Sequence, residues 1–442
     1  MEALVEKVWT KSKLLVKALV IGVLILLLQI PAYYVQHLVE EREQRQNDAI
    51  AEVSSKWAGQ QNIAGPVVVL PYLQNSVNAA SGKAPERHYA YFLPDELNIN
   101  SSVTPQERYR GIYKIMLYNS RINLSGTFNE ARLDQLNIRP EDVLWNEAFI
   151  RLNIADTKGL NEELKLNWNN QLLTLSPMSS GGSGNDGLSA KLPLRGVEDM
   201  KNIHFSSDLS LSGTEQLLFT PVGKSTTVTL ASNWPHPSFT GSILPQSTQI
   251  KDSGFSATWK SLAHKRNFPQ EWRDDEYLIS TQSTAQNSLS TAAFGANIYM
   301  PVNNYQRTLR SVKYAALCIL LTFAAFFIID TTNKKSVHPL QYGLIGLALI
   351  LFYTLLLSFS EYTGFNTSYA IASCFTIGLI AWFVKGILQS TRLSTIISVV
   401  LFLLYTYVFT ILQLQDYALL FGSLGLFITL AVIMHYSRKI QW

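Results

Sequence analysis

The residues of this chain that could do chemistry stand far apart from one another. Five histidines are spread over its long central region, at His37, His88, His204, His236 and His264, a spacing more typical of surface or packed histidines than of a metal site. The chain has no His-Glu-x-x-His, Cys-x-x-Cys or Gly-x-x-x-x-Gly-Lys-Ser/Thr motif. The glycine-rich run around Ser183 lacks the strand-turn-helix context of a nucleophile elbow. The sequence therefore predicts no catalytic residue, no metal site and no cofactor.

One loop combines aromatic side chains with rigid backbone and is a candidate for interaction or domain docking. The segment Asn-Trp-Pro-His-Pro-Ser-Phe carries Trp234, His236 and Phe239. Its two prolines restrict the backbone, so the aromatic rings can be presented at little entropic cost. The loop is either a recognition loop or a rigid corner that packs on the core. Aromatic residues flanked by proline usually pack, which favours the second interpretation.

Six apolar stretches are long enough to cross a bilayer. They cover residues 14–35, 314–329, 339–359, 365–384, 393–412 and 417–436. We therefore predict an integral membrane α-helical protein with six spans, in which the first is an anchor and the last five form a bundle over residues 311–437. A large domain, residues 36–310, lies between spans one and two, and short termini, 1–13 and 438–442, complete the chain.

The basic residues of the short segments fix the predicted orientation. They lie before or at the start of span one, between spans two and three, between spans four and five, and after span six: Lys7, Lys11, Lys13, Lys17, Lys334, Lys335, Lys385, Arg392, Arg438 and Lys439. The segments 360–364 and 413–416 carry no Lys or Arg. Because basic residues near spans stay in the cytoplasm, both termini are predicted to be cytoplasmic and residues 36–310 to be exported.

The first span could instead be a cleaved signal peptide, because its densest apolar part, residues 18–28, is short. No small-x-small cleavage site follows it, and Tyr33 and Tyr34 stand where interfacial aromatic rings belong. The pattern favours a retained anchor.

The exported domain has a β pattern after a stalk helix that runs through about Val53 and is expected to end by Gly65-Pro66. Partial alternation or β-branched enrichment predicts strands at residues 67–70, 88–93, 112–128, 148–154, 164–175, 203–211, 226–230, 255–259 and 293–300. Only Asn129–Leu136 resembles a short helix. Many strands without intervening helices predict an antiparallel sandwich or barrel-like fold.

Two further features of the domain are open to more than one interpretation. The Gly- and Ser-rich segment 179–187 is predicted to be a flexible loop that could divide two halves. Leu-Ser-Gly-Thr occurs on either side of it, at 124–127 and 211–214, which indicates either a duplication or coincidence. Both cysteines, Cys318 and Cys374, lie in predicted spans, so the domain must be held together by an ordinary core.

Glu361 follows the third span at its predicted outer end. A carboxylate left alone at that depth would be costly unless water or a partner reached it. We therefore hypothesise that Glu361 accepts hydrogen bonds from the exported domain or from Lys313, and pins the domain onto the bundle. The alternative is an ordinary solvated or snorkelling carboxylate.

Several stretches together resemble the CreD family of bacterial inner-membrane proteins. The matching segments lie at residues 41–42, 57–60, 65–66, 71–72, 92–94, 110–113, 124–128, 233–239, 241, 244–245, 253–255, 259, 338–342 and 360–365. The resemblance is collinear and nearly full length, and the 233–239 loop is its most distinctive part. Tyr362 departs from the pattern, which has a His after the Glu.

The resemblance implies a multi-pass inner-membrane protein linked to envelope stress, colicin sensitivity and β-lactam response. It supplies no catalytic residues. We therefore expect a non-enzymatic protein that supports envelope integrity, whose β domain binds an envelope protein, lipid or cell-wall partner. A membrane-bound enzyme with a dispersed active site, for instance around His236, is the alternative, and a transporter is the third. The bilayer is an expected partner, and nucleic acid is not, because no basic run is interleaved with aromatics.

Overall fold

The structure is a computed structural model that describes residues 2–74, 85–177, 187–279, 285–298, 304–333, 337–414 and 417–437. For residues 2–15 and 332–333, and for several residues of the last helix, only the backbone is described. The chain divides into two compact units. A membrane unit comprises Met1–Asp48 and Val302–Trp442, and a β unit comprises Ala49–Pro301. Residues 179–186 of the predicted flexible segment 179–187, and the basic positions 334–335 and 438–439, lie outside the described residues.

The helices of the described residues lie at the two ends of the chain. They are α1 Glu2–Lys56, α2 Asn304–Lys313, α3 Ala315–Asn333, α4 Pro339–Thr363, α5 Phe365–Leu388, α6 Thr391–Gln413 and α7 Ala418–Ser437. Pro339 occupies the first turn of α4, where its missing N–H costs nothing. The His338 side chain accepts a hydrogen bond from the Leu340 amide, and the Gln341 side chain accepts one from the His338 amide. These reciprocal bonds form a capping box that fixes the start of α4.

Four of the described helices are long and apolar enough to cross a membrane: Val16–Lys56, Pro339–Thr363, Phe365–Leu388 and Thr391–Gln413. The pair Asn304–Lys313 and Ala315–Thr331, bent by 43°, makes a fifth if it counts as one span. The predicted sixth span coincides with α7, several of whose side chains are not described. The described residues therefore contain several apolar helices of membrane-spanning length, and the number of six spans stays a prediction.

The β unit contains two sheets built from the strands of the described residues. The strands are β1 Gln61–Gln74, β2 Glu86–Phe92, β3 Glu96–Arg110, β4 Tyr113–Phe128, β5 Phe149–Ile154, β6 Lys165–Trp168, β7 Gln171–Thr174, β8 Ser176–Pro177, β9 Gly187–Lys191, β10 Ile203–Thr214, β11 Gln216–Thr220, β12 Ser225–Ser232, β13 Ser238–Gly241, β14 Ser247–Lys251, β15 Gly254–Leu262, β16 Glu271–Arg273 and β17 Phe294–Asn297. One sheet has the order β13-β17-β11-β1-β5-β9-β8, with β2 paired to β1 and β16. The other has the order β14-β15-β12-β3-β4-β10-β6-β7.

A single apolar cluster joins the inner faces of the two sheets. It contains Ile63 and Val68 from one sheet and Leu97 and Ile99 from the other, all at most 1% exposed. In β3 the buried and exposed side chains alternate strictly over its first nine residues, as expected of a strand with one face on the core. The predicted sandwich architecture is therefore present, and no disulfide holds it, since both free cysteines lie in the membrane unit.

The predicted antiparallel arrangement is incomplete, because two strand pairs are parallel. β1 pairs with β11, and β12 pairs with β3, in parallel registers. Each pair joins strands that are distant in sequence, so the intervening chain has room for a crossover. The fold is therefore a mostly antiparallel, mixed β sandwich.

Two local predictions were wrong. The stalk helix ends at Lys56, and Gly65-Pro66 lies inside β1, where a register shift between Ala64 and Val67 accommodates it. Residues 129–136 form turns in place of a helix. The side chains of Ala131 and Leu133 are both buried, and a spacing of two residues cannot place both on one face of a helix. Strand β3 was missed, because its polar, Pro-containing sequence lacks the usual β-branched enrichment. The shorter strands β8, β9, β11, β13, β14 and β16 also lie outside the predicted ranges.

The two Leu-Ser-Gly-Thr segments lie in neighbouring strands, β4 and β10, but they do not pair with each other: residues 124–127 pair with 204–207, and 211–214 pair with 117–120. These strands are antiparallel, and each motif glycine faces an aromatic residue of the other strand: Gly126 opposite Phe205, and Gly213 opposite Tyr118. A Cβ atom on Gly126 would lie 2.6 Å from the Phe205 ring, and one on Gly213 would lie 2.5 Å from Cζ of Tyr118. The glycines therefore create the space that the opposite aromatic ring fills.

Candidate functional site

The aromatic loop at 233–239 packs on the edge of the sandwich core. Trp234 and Phe239 are both half-buried and contact the core cluster. The Phe239 ring lies edge-on to Phe255 and to Trp259, with ring centres 5.7 and 5.6 Å apart. The Trp234 amide donates to the Ser232 hydroxyl at 3.1 Å. These contacts support the packing interpretation over a free recognition loop.

His236 has a different environment from its two aromatic neighbours. Its side chain is exposed, and its ring lies edge-on to Trp234 with ring centres 6.2 Å apart. Within the described ranges, no three His, Cys, Asp or Glu side chains are grouped as a metal site would require. The structure thus gives His236 a position at the surface of a packed corner.

Glu361 lies in the last turn of α4 and accepts contacts from two other helices. The Tyr305 hydroxyl of α2 donates to Oε1 of Glu361 at 3.2 Å, and an Arg42 guanidinium nitrogen of α1 lies 3.8 Å from the same oxygen. The Glu361 side chain is only 10% exposed. A charge at this depth is stabilised by the hydroxyl and the guanidinium group together.

The partners of Glu361 belong to the membrane unit. Both Arg42 and Tyr305 fall within residues 36–310, the region assigned to the exported domain from the sequence, but the division of the structure groups them with the bundle. Among the described residues, Lys313 is exposed and makes no ion pair with Glu361. The Asn304 side chain donates to the Ser360 carbonyl at 3.2 Å, which adds a second link between α2 and the end of α4. The pin onto the β unit stays a prediction.

A second ionic contact, which the sequence did not reveal, lies near the other end of α4. The Lys17 ammonium group of α1 donates to the carboxylate of Asp330 in the last turn of α3. The Asp330 side chain is 5% exposed, and its other oxygen accepts a hydrogen bond from the Val337 amide at 3.3 Å. Lys17 also lies 6.0 Å from the centre of the Tyr342 ring.

The sequence pattern does not reveal this pair. Lys17 stands among the basic residues at the start of span one, and the predicted second span ends at Ile329, whereas α3 runs on to Asn333. An acidic residue that directly follows a long apolar run is the signal that could have found it.

The two ionic contacts, Lys17–Asp330 and Arg42–Glu361, join α1 to the bundle at two positions along the helix. Lys17 and Arg42 are separated by 25 helical residues, which corresponds to about 38 Å along the helix. A bilayer has a hydrocarbon core of about 30 Å and a thickness of about 40–45 Å with its headgroups. Between the contacts, α1 buries one stripe on the bundle: Ile21, Leu28, Ala32, Val35 and Val39. The two charged contacts therefore lie at the two ends of one apolar stretch of α1.

The β unit contains one histidine with a carboxylate partner. Nδ1 of His88 lies 2.8 Å from Asp274, whose other oxygen accepts a hydrogen bond from the Tyr89 amide. The His88 ring also packs on Tyr72, with ring centres 5.6 Å apart. Burial, and secondarily the Asp274 charge, raises the pKa of Tyr72. Asp274 contacts the side chain of His88 and the backbone of Tyr89, and these contacts connect β2 to the turn after β16.

The comparison with known proteins decides the family. The family model described as inner membrane protein CreD matches residues 13–442. The chain belongs to the CreD family. The curated inner membrane protein CreD of Escherichia coli strain K12 is 32% identical over 421 residues, which cover 95% of this chain and 91% of that protein. The CreD resemblance predicted from the motifs is thereby confirmed, as is the assignment to a multi-pass protein of the inner membrane.

Solved structures overlap this CreD-family chain only in part. An M1 zinc metallopeptidase mutant from Deinococcus radiodurans is 13% identical, with a TM-score of 0.21, and the overlap covers 38% of each chain. The same mutant bound to a Tyr-Ser-Ala substrate is 14% identical, with a TM-score of 0.22, over 38% of this chain and 39% of that one.

Proposed function

We propose that this protein is a six-span envelope protein with both termini in the cytoplasm, whose β unit lies outside the inner membrane and binds a partner there without catalysing a reaction. The observation that carries the proposal is the pair of ionic contacts on α1, about 38 Å apart along the helix. Their spacing matches one crossing of a bilayer. The Lys17 end is the end at which the basic short segments gather, and basic segments stay cytoplasmic. The chain beyond Arg42 then enters the β unit on the opposite side.

Single-cysteine labelling tests this orientation. In a background in which Cys318 and Cys374 are replaced by Ser, one cysteine is introduced at the exposed positions Asn100, Tyr362 or Gln389. A membrane-impermeant maleimide applied to intact spheroplasts should label the first two positions and spare Gln389 until the membrane is permeabilised. Tyr362 and Gln389 lie at the two ends of α5, so they are matched controls for one another. Labelling of Gln389 in intact spheroplasts would refute the orientation.

The surface that best supports partner binding is the exposed edge of the β14 sheet. β14 ends the sheet order, all five of its residues are exposed, and Ile250 is 55% exposed. Leu244, in the connection that leads to β14, is 75% exposed. An edge strand offers a row of backbone N–H and C=O groups to a further strand, and nearby apolar side chains add affinity. We therefore propose that the partner presents an extended segment to β14.

Photo-crosslinking in living cells tests the binding surface. A photoreactive phenylalanine analogue at Leu244 or Ile250 should yield a discrete crosslinked product that the same analogue at Leu172 does not. Leu172 is a fair control because it is 64% exposed and lies on β7, the opposite edge of the same sheet. Identical products from all three positions would indicate random collision and would remove the edge as the binding surface.

A further inference from the structure

The short helix α2 separates its polar and packed residues into two faces. Tyr305, Thr308, Ser311 and Val312 are buried, and they face the bundle helices α3 to α6. Gln306, Arg310 and Lys313 are exposed and share the opposite side of the helix, since they are three or four residues apart. An amphipathic helix of this kind rests at the boundary between an apolar layer and water.

The charge of α2 is of one sign. Its ten residues include Arg307, Arg310 and Lys313 and no Asp or Glu. Within the described part of the chain, none of these three cations forms an ion pair, and Arg307 lies 5.8 Å from the centre of the Phe365 ring. Among the described residues, the three cations of α2 are therefore not ion-paired to any carboxylate.

The position of α2 makes this charge unusual. It directly precedes α3, from which it is bent by 43°, and it joins the end of α4 through the contacts of Tyr305 and Asn304 described above. In the orientation proposed above, this is the outer end of the bundle. Short outer segments of this chain otherwise lack Lys and Arg, as topogenesis requires. In that orientation the three cations lie at the level of the outer headgroups, where the positive-inside rule does not account for basic residues.

We propose that α2 binds the phosphate group of anionic phospholipids in the outer leaflet of the inner membrane, through Arg307, Arg310 and Lys313. The buried face holds the helix on the bundle, and the exposed face presents Arg310 and Lys313 at the level of the lipid phosphates. Anionic lipid attracts each basic residue near the membrane surface strongly enough to change affinity about fivefold. This site makes α2 the part of the membrane unit that binds anionic lipid. This proposal depends on the orientation proposed above only in assigning the lipid to the outer leaflet.

Native mass spectrometry of the full-length protein in detergent tests the site. Phosphatidylglycerol and phosphatidylcholine are added at equal concentrations, and the apparent affinity of each is read from its adducts. The wild-type protein should prefer phosphatidylglycerol. The double variant Arg310→Gln/Lys313→Gln should lose about 25-fold in that affinity, at about fivefold for each charge removed, and keep its affinity for phosphatidylcholine.

Three comparisons make the outcome decisive. Lys251→Gln/Lys260→Gln removes two exposed cations from the β unit and should leave the lipid preference unchanged. Arg310→Lys/Lys313→Arg keeps both charges and should retain the preference, which separates charge from misfolding. Soluble glycerol phosphate at the same concentration should not displace the lipid.

Several results would overturn the proposal. These are equal binding of the two lipids by the wild-type protein, an unchanged preference in the Arg310→Gln/Lys313→Gln variant, an equal loss in the β-unit control, loss of the preference in the charge-keeping variant, or displacement by glycerol phosphate. Because the measurement is made in detergent, it does not depend on orientation. Cysteine labelling can therefore refute the topology while the lipid preference stands, and the lipid measurement can fail while the topology stands.

Discussion

The ammonium group of Lys17 in α1 donates a hydrogen bond to the carboxylate of Asp330 in α3, a residue 313 positions further along the chain. Asp330 also accepts the Val337 amide, so that one carboxylate links α1, the end of α3 and the segment that leads into α4. A carboxylate that is almost fully buried requires such partners, because its desolvation would otherwise be costly. The charge pair thus fixes where the first helix meets the bundle.

Removing one partner of this pair should destabilise the membrane unit. We expect Lys17→Met or Asp330→Leu to lower the free energy of unfolding in detergent by about 2–4 kcal/mol, because each leaves the other group unpaired in an apolar setting. The double variant Lys17→Met/Asp330→Leu should recover most of that loss. Denaturant titration of the three variants measures the coupling. Strictly additive losses would show that the two groups do not interact.

Glu361 should depend more on its hydroxyl donor than on its arginine. Tyr305→Phe removes a hydrogen bond to a side chain that is only 10% exposed, and should cost about 1.5–3 kcal/mol. Arg42→Gln removes a 3.8 Å ion pair in which the arginine side chain is itself 37% exposed, and should cost less than about 1 kcal/mol. Thermal melting in detergent ranks the two variants. The reverse order would mean that the ion pair is the stronger contact.

Gly126 should not tolerate a side chain. In Gly126→Ala the new Cβ would overlap the Glu96 carbonyl oxygen and lie 2.6 Å from the Phe205 ring, so β3 and β4 must separate. We expect a loss of about 3 kcal/mol or more, at the upper end of overpacking effects. Gly196→Ala is the matched control, since a Cβ there meets nothing within 4 Å. Urea unfolding of the full-length variants should show a change of midpoint only for Gly126→Ala.

Glu271 should make the stability of the β unit fall as the pH rises. Burial raises the pKa of its carboxyl above the ordinary value of 4.5, so the folded protein holds this proton more tightly than the unfolded chain does. The stabilising effect is complete below the ordinary value and is lost as the pH rises through the folded pKa. Glu271→Gln should therefore gain stability relative to wild type over that window.

The measurement is the free energy of unfolding of both proteins between pH 4 and pH 7. Glu276→Gln, at an exposed carboxylate three positions beyond the end of β16, is the control and should follow the wild-type curve. Parallel curves for wild type and Glu271→Gln would show that Glu271 titrates as it does in water.

The aromatic loop should respond to substitution as a packed corner does. Phe239→Ala removes a ring in edge contact with Phe255 and Trp259 and should cost about 2–3 kcal/mol, less than the 3–5 kcal/mol of a fully buried Phe. His236→Ala, at an exposed position, should stay within about 0.5 kcal/mol of wild type. Equal stability of all three proteins, together with a changed envelope phenotype, would restore the recognition interpretation.

The sequence by itself determined that the chain combines apolar helices with a large β domain, and it located the boundaries between them. Runs of about 20 apolar residues can only be buried helices or spans, and β-alternation is a local pattern, so several apolar helices and most strands could be predicted directly. The unusual 233–239 loop and the motifs around it also carried the family. Elements failed where local preference was weak, as in the polar strand β3, or was overridden by burial at alternate positions, as in residues 129–136.

The tertiary structure alone decided which distant residues meet. Lys17 and Asp330, or Gly126 and Phe205, are chosen by helix packing and strand register, and neither is encoded in a window of neighbouring residues. The parallel pairs of the sandwich are likewise set by how the chain returns to the sheet. The same holds for α2, whose three cations are visible in the sequence, but whose buried and exposed faces exist only because the bundle covers one side.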